Sequence, residues 1–143
     1  TSRRAVAERS DGITMLACDV TDDESVAKLV ERVLAEAGRI DLLVNNAAIM
    51  NNPAPLWQIS AAEFQSLINV NIAGTANVIR HFVPAMVERQ RGDIVFVSSD
   101  VAVRARPHMS SYAAGKWGLG EPDTDAAMRL RPRAVSSASS NST

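Results

Sequence analysis

The feature that most constrains the fold is an alternation of short apolar runs with amphipathic stretches of helical period. Ile13 to Ala17 is a mostly apolar run ending at Cys18-Asp19. Thr21-Asp22-Asp23-Glu24 then has the form of a capping box, with side-chain oxygens placed to take up the free amides of a helix start. Val26, Leu29, Val30, Val33, Leu34 and Ala37 follow at helical spacing, and Gly38 supplies the stop. Ile40 to Val44 is a second run, broken only by Asp41 and followed at once by Asn45-Asn46. Ser60-Ala61-Ala62-Glu63 is a second capping box. It opens a long helix with a stripe of Phe64, Leu67, Ile68, Asn71, Thr75, Val78, Phe82 and Met86, whose last turns Pro84 should bend. Gly92-Asp93 turns the chain into Ile94 to Val97, a third run ending at Ser98-Ser99. Runs without alternation are what strands buried on both faces look like. Strands alternating with helices imply an α/β layer structure: a parallel sheet, right-handed crossovers and helices on both faces.

Open parallel sheets bind ligands at the carboxyl ends of their strands. Asp19, Asn45-Asn46 and Ser98-Ser99 all fall at such ends. Composition narrows the ligand. A formal net charge of −1 without a basic stripe argues against nucleic acid or an anionic membrane surface as a partner. The apolar runs are strand-sized, well short of the roughly 20 residues of a transmembrane helix. A single cysteine, Cys18, forbids an internal disulfide and fits a reducing, cytoplasmic setting.

Tyr112 and Lys116 stand four residues apart and so share one helix face, thirteen residues after Ser99. A phenol, with an ordinary pKa of about 10, is a poor proton donor near neutrality. An ammonium on the same face favours the phenolate, and a serine hydroxyl can hold a substrate oxygen nearby. That equipment moves a proton to or from a carbonyl or alcohol oxygen. The bland alternatives are an exposed helix pair and a serine capping a strand end. Asn71 is a polar intruder on an apolar stripe, and a buried amide must be hydrogen-bonded. His81 and His108 lack neighbours at metal-ligand spacing, so no metal site is expected.

Taken in order, Asp19-Val20, Asn45-Asn46-Ala47, Asn71, Ser99 and the Tyr112-x-x-x-Lys116 pair resemble the short-chain dehydrogenase/reductase family over residues 2–119. The resemblance implies a Rossmann fold and an oxidoreductase that uses NAD or NADP to interconvert a carbonyl and a secondary alcohol on a small-molecule substrate. By resemblance, Tyr112 is the general acid/base, Lys116 lowers its pKa and holds the nicotinamide ribose, Ser99 orients the substrate oxygen, and Asn71 holds a water linked to Lys116. Asp19 and Val20 would contact the adenine ring, and Asn45, Asn46 and Ala47 would line the cofactor groove, Asn45 more often as a brace of the central strands than as a direct ligand. Arg3, beside Arg4, would meet the 2′-phosphate of NADP and tilts the choice toward that cofactor. Relatives of this type form dimers or tetramers, so a homo-oligomer is expected of the intact parent.

Two departures set the domain boundaries. The family's Thr-Gly-x-x-x-Gly-x-Gly phosphate turn does not occur in the 143 residues, and Ala48 stands where relatives carry glycine. After Gly120 the apolar periodicity stops. Two prolines, a basic cluster (Arg129, Arg131, Arg133) and a Ser-rich ending read as a disordered tail. The expectation is therefore a partial Rossmann domain over 1–120 with an atypical tail over 121–143, a fragment lacking the glycine-rich loop and the C-terminal strands. For such a chain a non-catalytic remnant, or a partner subunit of a full-length relative, is the rival reading.

Overall fold

The structure is a computed structural model, describing residues 8–10, 12–104, 106–118 and 127–129, with backbone alone for 8–10 and 127–129. Arg3 and Arg4, and most of 121–143, lie outside the described residues.

Helix α1, Asp23–Ala37, forms where the apolar period expects it, with Val26 and Val30 buried. Its cap sits one residue later than the capping box implies. Thr21 Oγ1 donates to Asp19 Oδ1 at 2.7 Å, so Asp22 takes the cap position and its carboxylate accepts from the Glu24 amide at 3.0 Å. The run before it corrects a second expectation. Ile13–Met15 (β2) does not join a parallel sheet; it pairs antiparallel with Glu8–Ser10 (β1), Ser10 opposite Ile13, through a turn in which Gly12 has φ 80°.

Strand β3, Leu42–Asn45, and strand β4, Asp93–Phe96, are parallel, with Leu43 opposite Ile94. Val97 N donating to Asn45 O at 2.9 Å extends the ladder by one step. Strand β5, Ala127–Arg129, lies antiparallel on β4, so a strand occupies part of the stretch that the sequence reads as a tail. The sheet order is β3-β4-β5.

The long helix is present but not uniform. Helix α2, Ala61–Ile68, opens under Ser60, whose hydroxyl accepts from the Glu63 amide at 3.1 Å. A π turn, Asn69–Gly74, then leads into α3, Thr75–Glu88, which contains Pro84. The wider turn brings Asn71, Gly74 and Thr75 to the buried side together. Helix α4, Ser110–Trp117, carries the Tyr112 and Lys116 pair.

The core lies between α1, α3 and one face of the β3–β4 pair, built from Val26, Val30, Ile40, Leu43, Phe82, Met86 and Ile94. On the other face Leu42 and Val44 are 55% and 49% exposed among the described residues. Polar ties at the margin fix α3 to its neighbours. Arg80 and His81 both reach Asp23 at the start of α1, and Arg89 bonds Ile40 O and Asp41 Oδ1, each at 3.0 Å. Asp41, the one charge in its apolar run, is thus placed at the strand start, where Arg39 and Arg89 hold its carboxyl below the usual range. No helix among the described residues is long and apolar enough to cross a membrane.

The cap position is directly testable. Asp22→Ala should lower stability by about 1 kcal/mol, the ordinary cost of losing an N-cap acceptor, read from the urea midpoint. Thr21→Ala should lower it less; the reverse order would return the cap to Thr21.

Candidate active site

A cavity of about 600 Å³ opens beside the carboxyl end of β4, where the alternation places ligand sites. Ser99 and Tyr112 both line it, the serine from the loop after β4 and the tyrosine from the first turn of α4. Ser98 is not among the lining residues. Apolar walls come from Met50 and Pro53 after β3, Val101 after β4, and Pro107 and Met109 before α4. The Ser99 hydroxyl donates to Asp100 Oδ1 at 3.4 Å.

Lys116 is 6% exposed, and its ammonium donates to Val97 O at 2.7 Å, the carbonyl just past the end of β4. Nζ also lies 5.7 Å from the centroid of the Tyr112 ring, over its face. Burial pushes the Lys116 pKa down, since the charged form loses hydration. Ser99, Tyr112 and Lys116, scattered over eighteen sequence positions, are therefore gathered around one strand end.

Asn71 is fully buried, and its amide is engaged at both ends by a single residue. Oδ1 accepts from Ile49 N at 2.8 Å, and Nδ2 donates to Ile49 O at 2.9 Å. This braces the main chain after β3, a role that can coexist with the water-holding one the resemblance implies. Helix α4 packs directly over it: a Cβ on Gly115 would stand 3.1 Å from both Cβ and Nδ2 of Asn71.

A second, smaller hollow of about 100 Å³ lies alongside, lined by Val20, Val44, Asn45, Asn46, Ala47, Gly74, Thr75 and Val78. Four of the residues expected at a cofactor groove (Val20, Asn45, Asn46 and Ala47) meet there. Asp19 does not line it; its carboxylate instead takes the Thr21 amide and hydroxyl, while Ser25 Oγ accepts from its amide. Gly74 is what lets the walls close: an added Cβ would fall 2.7 Å from Val20 Cγ2. Asn45 Nδ2 is buried and has no hydrogen-bond partner among the described residues, a donor left for a ligand acceptor. That donor and the narrow apolar wall fit part of a dinucleotide. The hollow is too small for all of one, and no glycine-rich phosphate turn is present in the sequence to hold the pyrophosphate. Among the described residues no group of three or more His, Cys, Asp or Glu could hold a metal ion.

Sequence reasoning missed several residues of the two hollows. Gly74 and Thr75 carry a signal, since they follow Asn71 on a buried stripe. Asp100 and Arg106 carry none, because their pairing depends on loop geometry. Asn51, 2% exposed, was also silent; its Nδ2 donates to Asn52 O at 2.8 Å and to His108 O at 3.0 Å, tying together two walls of the larger cavity.

Comparison with known proteins gives the family and the fold. A profile of the short chain dehydrogenase family matches residues 2–139. The chain belongs to that family. Among curated relatives, an NADPH-dependent pterin aldehyde reductase of Arabidopsis thaliana is 34% identical over 105 residues, 73% of this chain and 43% of the relative. A 3-oxoacyl-[acyl-carrier-protein] reductase of Thermotoga maritima is 41% identical over 101 residues, 71% of this chain and 41% of the relative. Among solved structures, ElxO with NADP bound superposes with a TM-score of 0.68 at 32% identity, covering 71% of this chain and 41% of that one. NAD+-bound xylitol dehydrogenase gives 0.69 at 30% identity, covering 71% and 39%. These neighbours share the Rossmann fold of the family. The chain spans about two fifths of the length of these relatives.

Two outcomes follow. Gly74→Ala should destabilise by about 1–3 kcal/mol in urea unfolding, because the new methyl meets a stiff β-branched side chain and the helix-propensity gain is smaller. For Lys116, whose folded pKa lies below its unfolded value of 10.5, the unfolded chain binds more protons between the two values. Stability relative to Lys116→Met should therefore rise with pH across that window, as the buried charge is released. A flat difference in denaturation free energy against pH would contradict the desolvation.

Proposed function

We propose that the chain forms the catalytic part of an NAD(P)(H)-dependent oxidoreductase that interconverts a carbonyl and a secondary alcohol on a small-molecule substrate. What supports this reading most is the convergence of Ser99 and Tyr112 on one cavity, with the Lys116 ammonium over the tyrosine ring. A substrate oxygen in the cavity would accept a hydrogen bond from Ser99 Oγ. The Tyr112 phenol would give that oxygen a proton in reduction, or take one in oxidation. Lys116, held by Val97 O, stabilises the phenolate electrostatically and keeps further N–H groups for a ligand. Asn71 acts as a positioning residue: by bracing Ile49 it sets the chain that carries Met50 and Pro53 into the cavity wall.

The nicotinamide group, when bound, supplies or accepts the hydride. Val20, Asn45, Asn46 and Ala47 would hold the cofactor, Val20 beside the adenine ring, with the free Nδ2 of Asn45 donating to one of its acceptors. Asp19 would touch the adenine ring only if its carboxylate turned from Thr21, and Arg3 would favour NADP through the 2′-phosphate. NADP-bound and NAD+-bound neighbours stand equally close in TM-score, so either cofactor is open. The likeness to dehydrogenases and reductases favours this reading over a non-catalytic remnant.

Tyr112→Phe removes one hydroxyl and leaves the ring under Lys116. In the protein that carries this sequence it should lower turnover of a ketone by at least about a hundredfold while nicotinamide cofactor affinity, followed by fluorescence titration, is unchanged. Turnover surviving the change would place the proton donor elsewhere.

A further inference from the structure

The larger cavity carries one charged feature that the proton-transfer chemistry does not use. Asp100 opens the 3-10 turn Asp100–Ala102 and lines the cavity next to Ser99. Its carboxylate accepts from the Ser99 hydroxyl through Oδ1 and forms an ion pair through Oδ2 with Arg106, which lines the cavity from the loop before α4. Both side chains are about half exposed, so the pair contributes little to stability. Its effect falls instead on whatever enters the cavity.

Consider Arg106 alone. A guanidinium on the wall of an otherwise apolar hollow would attract a carboxylate-bearing ligand, through two parallel hydrogen bonds. Asp100 cancels that charge and takes one arm of the fork. It also stands beside the hydroxyl proposed to receive the substrate oxygen, so an anionic ligand reaching Ser99 meets a carboxylate at close range. Arg106 holds the Asp100 carboxyl below its usual range. The remaining walls are thioether, proline and valine carbon.

We propose that Asp100 is a specificity-determining residue: by masking Arg106 it fits the cavity to uncharged carbonyl or alcohol substrates with an apolar body, and turns away their carboxylate-bearing counterparts. This rests on the oxidoreductase reading above, and it names the substrate class of the same site.

The test is a matched pair of ketones, cyclohexanone and 4-oxocyclohexanecarboxylate, with the protein that carries this sequence and with its Asp100→Asn and Asp100→Asn/Arg106→Gln variants. The wild type should show the higher kcat/KM for the neutral ketone. Asp100→Asn, which keeps the shape and frees Arg106, should move the ratio about tenfold toward the carboxylate, and the double variant should lose that shift. An unchanged ratio in Asp100→Asn, or a wild type that prefers the carboxylate, would overturn the proposal. If the wild type turns over neither ketone with NADH or NADPH, the oxidoreductase reading fails by itself. Charge selection is then read from ligand-observed NMR titrations of the two ketones: the tenfold shift in relative Kd supports it, and equal affinities in both proteins reject it.

Discussion

The site depends first on one buried side chain, Asn71, and on its amide being satisfied at both ends by Ile49. An amide buried without partners would cost a few kcal/mol. Here the donor and acceptor of a single side chain meet the acceptor and donor of a single peptide residue, at 2.9 and 2.8 Å. That pairing fixes both the position and the direction of the chain as it leaves β3. The π turn makes the arrangement possible. Its extra width lets Asn71 and Gly74 face inward together, with Thr75 Oγ1 donating to Asn71 O at 3.0 Å. Gly115 then allows α4 to lie against the amide, so the helix carrying Tyr112 and Lys116 takes its depth from Asn71.

From Ile49 the constraint passes outward through Asn51. One amide nitrogen holds both Asn52 O and His108 O, and the Asn52 amide donates to the Glu63 carboxylate at 2.8 Å. Glu63 thus serves α2 with its amide, through Ser60, and the cavity wall with its side chain. His108 sits at φ 66°, a left-handed conformation that costs a non-glycine residue about 1–2 kcal/mol. The bond from Asn51 helps to hold it. The reward is geometric: Pro107 and Met109, on either side of His108, both reach the cavity lining.

The parts of this fold that could be read in the sequence are those whose cause is local. The apolar period fixed α1, the apolar runs located β3 and β4, and the spacing of Ser99, Tyr112 and Lys116 anticipated three groups that meet at one strand end. The failures have equally definite causes. Ile13–Met15 reads as a layer strand because its run is apolar, yet Asp11-Gly12 is a hairpin signal and the strand pairs locally with Glu8–Ser10. Thr21 looks like the cap, but Asp19, two residues earlier, takes its hydroxyl. The π turn is invisible because a stripe advancing by four from Leu67 to Asn71 to Thr75 fits an ordinary helix. Strand β5 is invisible because pairing with β4 spans more than thirty residues and a proline-broken segment. At the site, residue type and spacing pointed to Ser99, Tyr112 and Lys116, which the structure brings to one strand end. Loop geometry alone set the Asp100–Arg106 pair.

Lys116 shows why residue type was so informative. Packing alone would favour an apolar side chain at a position this buried, since an ammonium there loses hydration and a methionine of similar length would not. The charge is tolerated because Val97 O accepts from it and the tyrosine ring presents its negative face. Neither contact needs a lysine for folding. Val97 already anchors the strand end, its amide bonded to Asn45 O, so the residue that steadies the ammonium is itself held by the neighbouring strand. A buried cation at this strand end is a costly arrangement for stability.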